Sequence, residues 1–193
     1  SDQSAQEAVV RHALATGGVE PDEVGYIEGH GVGVVASDRT EVAALRAVLA
    51  TGVGRDQPCA IGSVKGNIGH LEWASGIAGL IKAVLALGHG QIPPQTGLQQ
   101  PIDGIDDELL SVSSVMRGWP LPGRRIAGVN AFGLGGTNAH LVLAEAPQSP
   151  RAVAPRRTNV LPFSARTDAA LRALARRYAR FLRGATAEAA DVC

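Results

Sequence analysis

Two histidines and one lysine in this chain each follow a predicted strand on a turn that contains glycine. His30 has a glycine on either side, and His70 closes a stretch, residues 63–70, that also carries Lys65. Imidazoles at such positions can transfer protons or donate hydrogen bonds to a developing oxyanion, and a lysine can hold an oxyanion or orient a histidine. These residue types therefore predict a site for proton handling and oxyanion stabilisation.

The local pattern leaves other interpretations open. A histidine after a strand can be purely structural, and Lys65 can simply bond loop carbonyls. Zinc binding by His30 and His70 is disfavoured, because the sequence offers no short-spaced pair and no third ligand. His140 is interpreted as structural. The two cysteines are not part of a recognisable nucleophile motif, so the predicted site has no nucleophile in this chain.

A third glycine-rich segment covers residues 132–138. A dinucleotide-binding fingerprint requires such a turn to open a helix. Here the following residues, 139–145, have the pattern of a strand, so nucleotide binding is rejected. The segment is instead predicted to be a tight turn that aims backbone amides at a reacting centre.

Composition limits the class of protein. The chain has 193 residues, 45% of them hydrophobic and 19% charged, which suits a mixed α/β domain with a buried core. A net charge of zero gives no electrostatic case for binding nucleic acid or an anionic membrane. No apolar run reaches the ~18 residues of a membrane span. With two cysteines, no CxxC pattern and no signal peptide, a reducing cytoplasm is the expected location.

Periodicity predicts an alternation of helices and strands over the first 147 residues. A Ser4-x-x-Glu7 capping box should start a helix ending near Gly17. Asp38 should cap a second helix, and a third should cover residues 72–87 and end at Gly88. Strands are predicted at 24–28, 59–64, 109–115, 125–131 and 139–145.

The composition changes at Pro147, which begins a linker rich in Pro and Arg. We divide the chain into domains at 1–147 and 148–193. The second part is predicted to contain a short strand at 160–164 and an amphipathic helix capped by Thr167 and Asp168. Half of the 18 Lys and Arg residues lie between Arg151 and Arg183. A solvated basic face is the preferred interpretation, and a docking surface for a partner domain is the alternative.

Taken together, the three motifs resemble the C-terminal half of a β-ketoacyl synthase (ketosynthase) of the modular type I polyketide synthases. Residues 28–34, Glu-Gly-His-Gly-Val-Gly-Val, are similar to that family's Glu-Ala-His-Gly-Thr-Gly-Thr, with Asp38 and Glu41 at the spacing of its acidic pair. Residues 63–70 match Ser-Val-Lys-Ser-Asn-Ile-Gly-His except at Gly66. Residues 131–140 resemble its Ser-Phe-Gly-Phe-Gly-Gly-Thr-Asn-Ala-His turn. The resemblance covers about residues 1–147, and 148–193 resemble the start of the following linker.

The resemblance implies a thiolase-like layered αβαβα fold, of which this chain is the C-terminal half, and a homodimer of the completed domain. A complete ketosynthase is roughly twice this length and carries its nucleophilic cysteine in the N-terminal half. Neither Cys59 nor Cys193 matches that motif. The chain is therefore expected to be a fragment or one component of a split enzyme, inactive without its N-terminal half.

The implied reaction is a decarboxylative Claisen condensation of an acyl chain with a malonyl-type extender carried on the phosphopantetheine of an acyl carrier protein. No metal and no directly bound cofactor is implied. His30 and His70 would assist decarboxylation and hold the thioester oxygen, with Lys65 tuning or orienting His70. The glycine-rich turn would supply an oxyanion-hole amide and a gating side chain, both from Leu134; its members are Phe132, Gly133, Leu134 and Gly135.

Pantetheine binding is where the chain departs from the family pattern. Val32 and Val34 replace threonines whose hydroxyls contact the pantetheine arm, and Asn138 also belongs to the implied substrate site. Each lost hydrogen bond is worth about 0.5–1.5 kcal/mol. Weakened engagement of the carrier is one consequence. A non-elongating ketosynthase that acts as transacylase, decarboxylase or scaffold is the alternative function, and an unrelated binding module is the remaining one.

Overall fold

A five-stranded sheet lies at the centre of the part of the chain that carries the histidine motifs. The structure is a computed structural model and describes residues 2–52, 54, 56–147 and 160–184. The chain divides into two compact units, Ser1–Pro147 and Gln148–Cys193. All three motifs lie in the first unit.

The order of elements is that of an α/β protein. Helices α1 to α5 are Gln3–Gly17, Val35–Leu49, Lys65–Ile68, Ser75–His89 and Asp168–Gly184. Strands β1 to β7 are Tyr26–Glu28, Cys59–Gly62, Gln91–Ile92, Leu110–Ser111, Arg117–Gly118, Ile126–Phe132 and Asn138–Ala144. The main sheet has the order β4-β2-β1-β6-β7, and β3 and β5 form a separate antiparallel pair. Strands β4, β2, β1 and β6 are parallel, whereas β7 runs antiparallel to β6.

Helices cover both faces of this sheet. On one face, α1 and α2 pack against strand residues such as Ile27. On the other, α4 packs against Tyr26 and Val129. Successive strand residues point to opposite faces, so a strand covered on both sides has no solvent-facing side, and polar residues on it, such as Glu28 and Asn130, must be hydrogen-bonded. This explains why β1 is buried along its whole length and β6 along nearly all of it.

The predicted helices are confirmed, but three of the predicted starts are wrong. Asp2, not Ser4, caps α1, because its Oδ1 accepts the Ser4 and Ala5 amides at 2.9 and 3.4 Å and its charge complements the helix dipole. Helix α2 begins at Val35, so Asp38 lies in its first turn. The third helix begins at Ser75 after a 3₁₀ turn at Glu72–Ala74.

Two other boundaries also differ from the prediction. Helix α4 continues through Gly88 and ends at His89, and its C-cap Gly90 takes the left-handed conformation with φ of 64°. The strand predicted at 109–115 is only Leu110–Ser111, because β4 pairs with just two residues of β2.

The second unit is described only at residues 160–184. The strand predicted at 160–164 is wrong, since that segment has no regular secondary structure. The predicted amphipathic helix is confirmed as α5, whose Ala170 amide donates to Thr167 Oγ1 at 3.2 Å. Most of the predicted Pro/Arg linker, and Cys193, lie outside the described residues. No helix in the described part of the chain is both long and apolar enough to cross a membrane.

Candidate active site

The loop that carries His30 follows β1 and is held by two carboxylates of α2. Glu41 accepts the backbone amides of His30 and Gly31 at 2.7 and 2.8 Å. Asp38 accepts those of Val32 and Gly33 at 3.0 and 3.1 Å. Residues three apart on a helix lie on the same side, so this spacing lets one helical turn bind four consecutive amides.

The same loop passes very close to the 63–70 segment. Gly31 has a φ of 43°, a left-handed conformation, and a Cβ built on it would lie 3.0 Å from the Ser63 Cβ. A larger residue would therefore be strained in its backbone and crowded by its neighbour. The glycine lets the two motif loops, distant in sequence, meet at the carboxyl edge of adjacent parallel strands.

His70 is oriented by the turn that follows it. Its Nδ1 accepts the Glu72 backbone amide at 2.9 Å and lies 3.3 Å from the Ser75 hydroxyl. Ser75 Oγ in turn accepts the Leu71 amide at 2.9 Å. Glu72 is the one described non-glycine residue with a positive φ, 51°. This strained residue lies in the turn that holds its amide against His70, and strain of that kind is typical of functional turns.

Lys65 contacts the first histidine rather than the second. Its Nζ donates to the backbone carbonyl oxygen of His30. Burial lowers the pKa of Lys65, and the nearby carboxylates, Glu28 first, oppose that shift. The ammonium group thus stabilises the loop of His30 directly, whereas His70 takes its orientation from Glu72 and Ser75.

The structure brings the two histidines and Phe132 together. The His30 and His70 ring centroids are 5.9 Å apart with the rings perpendicular, and Phe132 lies 5.8 Å from His30. Burial, followed by the Lys65 ammonium and by His70, lowers the pKa of His30 to about 4. His30 is therefore a neutral imidazole at physiological pH. Among the described residues, no group of three or more metal-ligating side chains is present.

The glycine-rich segment is a tight turn between β6 and β7, as predicted. The Gly133 amide donates to the Thr137 carbonyl at 2.8 Å, and the Gly136 amide donates to the Gly133 carbonyl at 3.0 Å. Within the described part of the chain, no acceptor binds the Leu134 amide, and its side chain is fully exposed. Gly135 lies in the same turn, and Asn138 pairs with Phe132 where β7 begins.

The two valines of the first motif occupy different environments. Val32 lines a cavity of about 580 Å³ between the His30 loop, Lys65 and the segment 95–102. Val34 is 58% exposed and is the N-cap residue of α2, where it makes no side-chain capping bond. The imidazoles of His30 and His70 do not line this cavity.

Sequence reasoning did not select several residues that shape the site. Glu28 is buried beneath the 63–65 turn, where it accepts the Val64 amide at 2.6 Å, the Tyr26 hydroxyl at 2.5 Å and Lys82 Nζ at 2.9 Å. Asn130 and His140 are also buried and reach the site through Glu41. Of the residues that hold the His30 loop, only Asp38 and Glu41 had a sequence signal, their i, i+3 spacing. The positions of Glu28, Asn130 and His140 depend on strand register.

Comparison with known proteins defines the class. The ketosynthase twelve of the bacillaene polyketide synthase in Bacillus amyloliquefaciens aligns with a TM-score of 0.79 and 33% identity, over 97% of this chain and 33% of that one. The predicted thiolase-like α/β fold is therefore confirmed. The chain is 42% identical over 183 residues to erythronolide synthase EryA3 of Saccharopolyspora erythraea, which is 92% of this chain and 6% of that protein.

Family models agree with these neighbours. The model described as β-ketoacyl synthase, C-terminal domain, matches residues 1–99, and that of the ketoacyl-synthetase C-terminal extension matches 99–190. The chain belongs to the β-ketoacyl synthase family, as a C-terminal ketosynthase domain of the polyketide synthase type. It is also 47% identical over 145 residues to a phenolphthiocerol/phthiocerol polyketide synthase of Mycobacterium tuberculosis. That match covers 74% of this chain and 8% of the longer protein, so the chain spans only a small part of such relatives.

Proposed function

We propose that this chain supplies the histidine pair of a polyketide ketosynthase whose nucleophilic cysteine lies in the N-terminal half of the domain. The observation that carries the proposal is the perpendicular pair of His30 and His70, with His30 neutral and His70 fixed through Nδ1. Cys59 is fully buried in β2, which makes it unsuitable as the nucleophile. The completed domain would act as an acyltransferase.

In the proposed reaction, the acyl chain first moves to the cysteine of the other half. A malonyl-type thioester on an acyl carrier protein then loses its carboxylate as CO₂, and the electron pair of the broken C–C bond forms an enolate. The enolate carbon attacks the acyl thioester carbonyl, and the cysteine thiolate leaves. His30 and His70 donate hydrogen bonds to the malonyl thioester oxygen as it becomes an enolate, an interaction strongest in the transition state.

The histidine tautomer supports this assignment. A backbone amide can only donate, so the bond from Glu72 requires a lone pair on His70 Nδ1 and leaves the proton of the neutral ring on Nε2. The Leu134 amide, at the tip of the adjacent turn, would be the donor for the oxyanion of the attacked thioester. Phe132 packs against His30 and limits the rotation of its ring.

Replacing each histidine separately tests the proposal. In the domain completed with its N-terminal half, His30→Ala and His70→Ala should leave acylation of the partner cysteine largely intact and abolish condensation. Acyl-enzyme formation is measured by mass spectrometry of the intact protein, and condensation by product release from malonyl carrier protein. Loss of acyl loading with retained malonyl decarboxylation would reverse the assignment.

A non-elongating ketosynthase is the second candidate, and the observation that favours it is the Val32/Val34 pair. Without the two hydroxyls, the phosphopantetheine arm would be held less well, and transacylation, decarboxylation or a scaffold role would remain. Single-turnover assays with acyl-enzyme and malonyl carrier protein separate the two. Condensed product supports elongation, and acyl transfer without condensation supports the alternative.

A further inference from the structure

We propose that His140 is a positioning residue for His30, which acts through Asn130 and Glu41 without touching substrate. The inference rests on the proposed role of His30 in decarboxylation. It concerns a histidine that the sequence marks only as structural. The three side chains involved lie on β7, β6 and α2.

The strand register brings the first two residues together. Asn130 of β6 lies directly opposite His140 of β7, and His140 Nδ1 is 2.6 Å from Asn130 Oδ1. Gly128, two residues earlier on β6, makes room for the imidazole, because a Cβ there would lie 2.7 Å from His140 Cε1. Strand residues two apart face the same side of the sheet, so the strand supplies both the space and the partner.

The hydrogen bonds of this group have a defined direction. Asn130 Nδ2 donates to Glu41 Oε1 at 2.8 Å, so the oxygen of the same amide faces His140 and must accept from Nδ1–H. Burial lowers the pKa of His140 to about 4, which keeps the ring neutral. All three side chains are buried, with exposed fractions of 3%, 4% and 8% for Asn130, Glu41 and His140.

Glu41 connects the Asn130–His140 pair to the His30 loop through hydrogen bonds. Its carboxylate accepts three N–H groups, from His30, Gly31 and Asn130, and no water competes easily at so buried a position. Burial raises the pKa of Glu41, and these same bonds oppose that rise, so they favour the ionised, acceptor form. If His140 can no longer donate, Asn130 loses one of the two hydrogen bonds that fix its amide, and its donor to the Glu41 oxygen that holds the His30 amide is placed less precisely.

The test compares variants of the completed domain. His140→Leu fills the space without the donor, and His140→Asn restores an N–H donor one bond beyond Cγ, where Nδ1 stands. We expect kcat of malonyl decarboxylation to fall about tenfold to a hundredfold in His140→Leu, as displacements near 1 Å cost on the order of 10²-fold. KM for malonyl carrier protein and the rate of cysteine acylation should change little, and His140→Asn should recover most of kcat. His12→Leu, on an exposed face of α1, is the matched control.

Each outcome decides the proposal. A purely structural role would lower acylation and decarboxylation together, or would leave His140→Asn no better than His140→Leu, and either result overturns it. If His140→Leu does not fold, Asn130→Ala interrupts the same path and must show the same selective loss of decarboxylation. If the parent domain shows no decarboxylation that depends on His30, the proposed function itself fails. Normal decarboxylation in the His140 variants alongside its loss in His30→Ala overturns only the inference drawn here.

Discussion

At the residue scale, the chemistry of the site depends on which imidazole nitrogens can donate. The Glu72 amide leaves Nε2 of His70 as its donor, and burial beside the Lys65 ammonium keeps His30 neutral. A neutral imidazole keeps one N–H group, which it can donate as a hydrogen bond to an enolate. The surrounding residues thus set the protonation state of His30 and the tautomer of His70, neither of which the sequence motif shows.

The lowered pKa values of His30 and His140 predict a pH dependence of stability. Both fall from 6.5 in the unfolded chain to about 4 in the folded one, so the unfolded state binds more protons between these values. Their contribution to stability is fully present above pH 6.5 and is lost as the pH falls toward 4. We expect the urea midpoint of the completed domain to fall over this range.

The contribution of His140 to this pH dependence of stability can be isolated by substitution. His140→Asn cannot be protonated in this window, so its urea midpoint should fall less steeply between pH 6.5 and 4 than that of the parent. Carboxylates titrate in both proteins and cancel in the comparison. Equal slopes for the two proteins would mean that His140 is not held neutral by burial.

The valines of the first motif predict an effect on carrier affinity. Val32→Thr combined with Val34→Thr should restore two neutral hydrogen bonds to the pantetheine arm, worth at most about 1–3 kcal/mol together, or on the order of 5- to 150-fold. The gain should appear mainly in the apparent affinity for acyl carrier protein, because the contacts exist before and during reaction. Kinetics with carrier-bound substrate measure it. A fall in turnover would instead indicate a pocket reshaped for a more apolar substrate.

At the element scale, the start of α2 serves both the fold and the site. Its first two turns place Asp38 and Glu41 against the four amides of the His30 loop. Burial raises the pKa of Asp38, and the bonds from Val32 and Gly33 oppose that rise. Because α2 packs on α1 and the sheet, the His30 loop is fixed to the main core rather than to the surface.

This arrangement predicts that Val34→Thr alone stabilises the protein. Val34 is the N-cap residue and has no side-chain oxygen, whereas a threonine there can accept a backbone amide of the first turn. Such caps are worth about 0.5–2 kcal/mol. Urea unfolding of Val34→Thr should show this gain in the free energy of unfolding. Val35→Thr, at a similarly exposed neighbour inside the helix, should show none; equal effects would argue against capping.

At the scale of the whole molecule, α4 leaves a large apolar surface uncovered. Ile77, Ile81, Val84 and Leu85 form one stripe along the helix and are each more than half exposed. An adjacent cavity of about 530 Å³ is lined by further apolar residues, among them Ile68 and Met116. Exposed apolar areas of this kind mark interfaces, and on the function proposed above we expect the N-terminal half of the ketosynthase to cover this one.

We therefore expect this chain to be stable in solution only when paired. Coexpression with the N-terminal half should give a stoichiometric complex, and the chain alone should self-associate or precipitate, as sedimentation velocity would show. Ile81→Glu should disrupt the complex, because Ile81 lies on the stripe and its partial exposure lets the chain itself still fold. Ala8→Glu, on the exposed face of α1, is the control. A monodisperse monomer of the chain alone would contradict the assignment.

Local sequence was enough to predict the α/β alternation and the three motif turns, and it selected His30, His70 and Lys65 as candidate site residues. These features depend on short-range patterns: apolar periodicity, glycines at sharp turns and polar residues after strands. Helix starts were predicted less well, because Asp2 rather than Ser4 accepts the amides of the first turn of α1, and Asp38 binds amides of the preceding loop instead of those of its own helix. The family resemblance then connected motifs that are far apart in the chain.

Tertiary structure decided how those residues act on one another. Only the strand register places Asn130 against His140, and only the packing of α2 brings Glu41 to the His30 loop. The contact of Lys65 with the His30 carbonyl, rather than with His70, likewise depends on two loops meeting at the ends of β1 and β2. Such contacts join residues between 10 and 89 positions apart. A periodic pattern in the sequence records which face a residue occupies but not which residue it meets there.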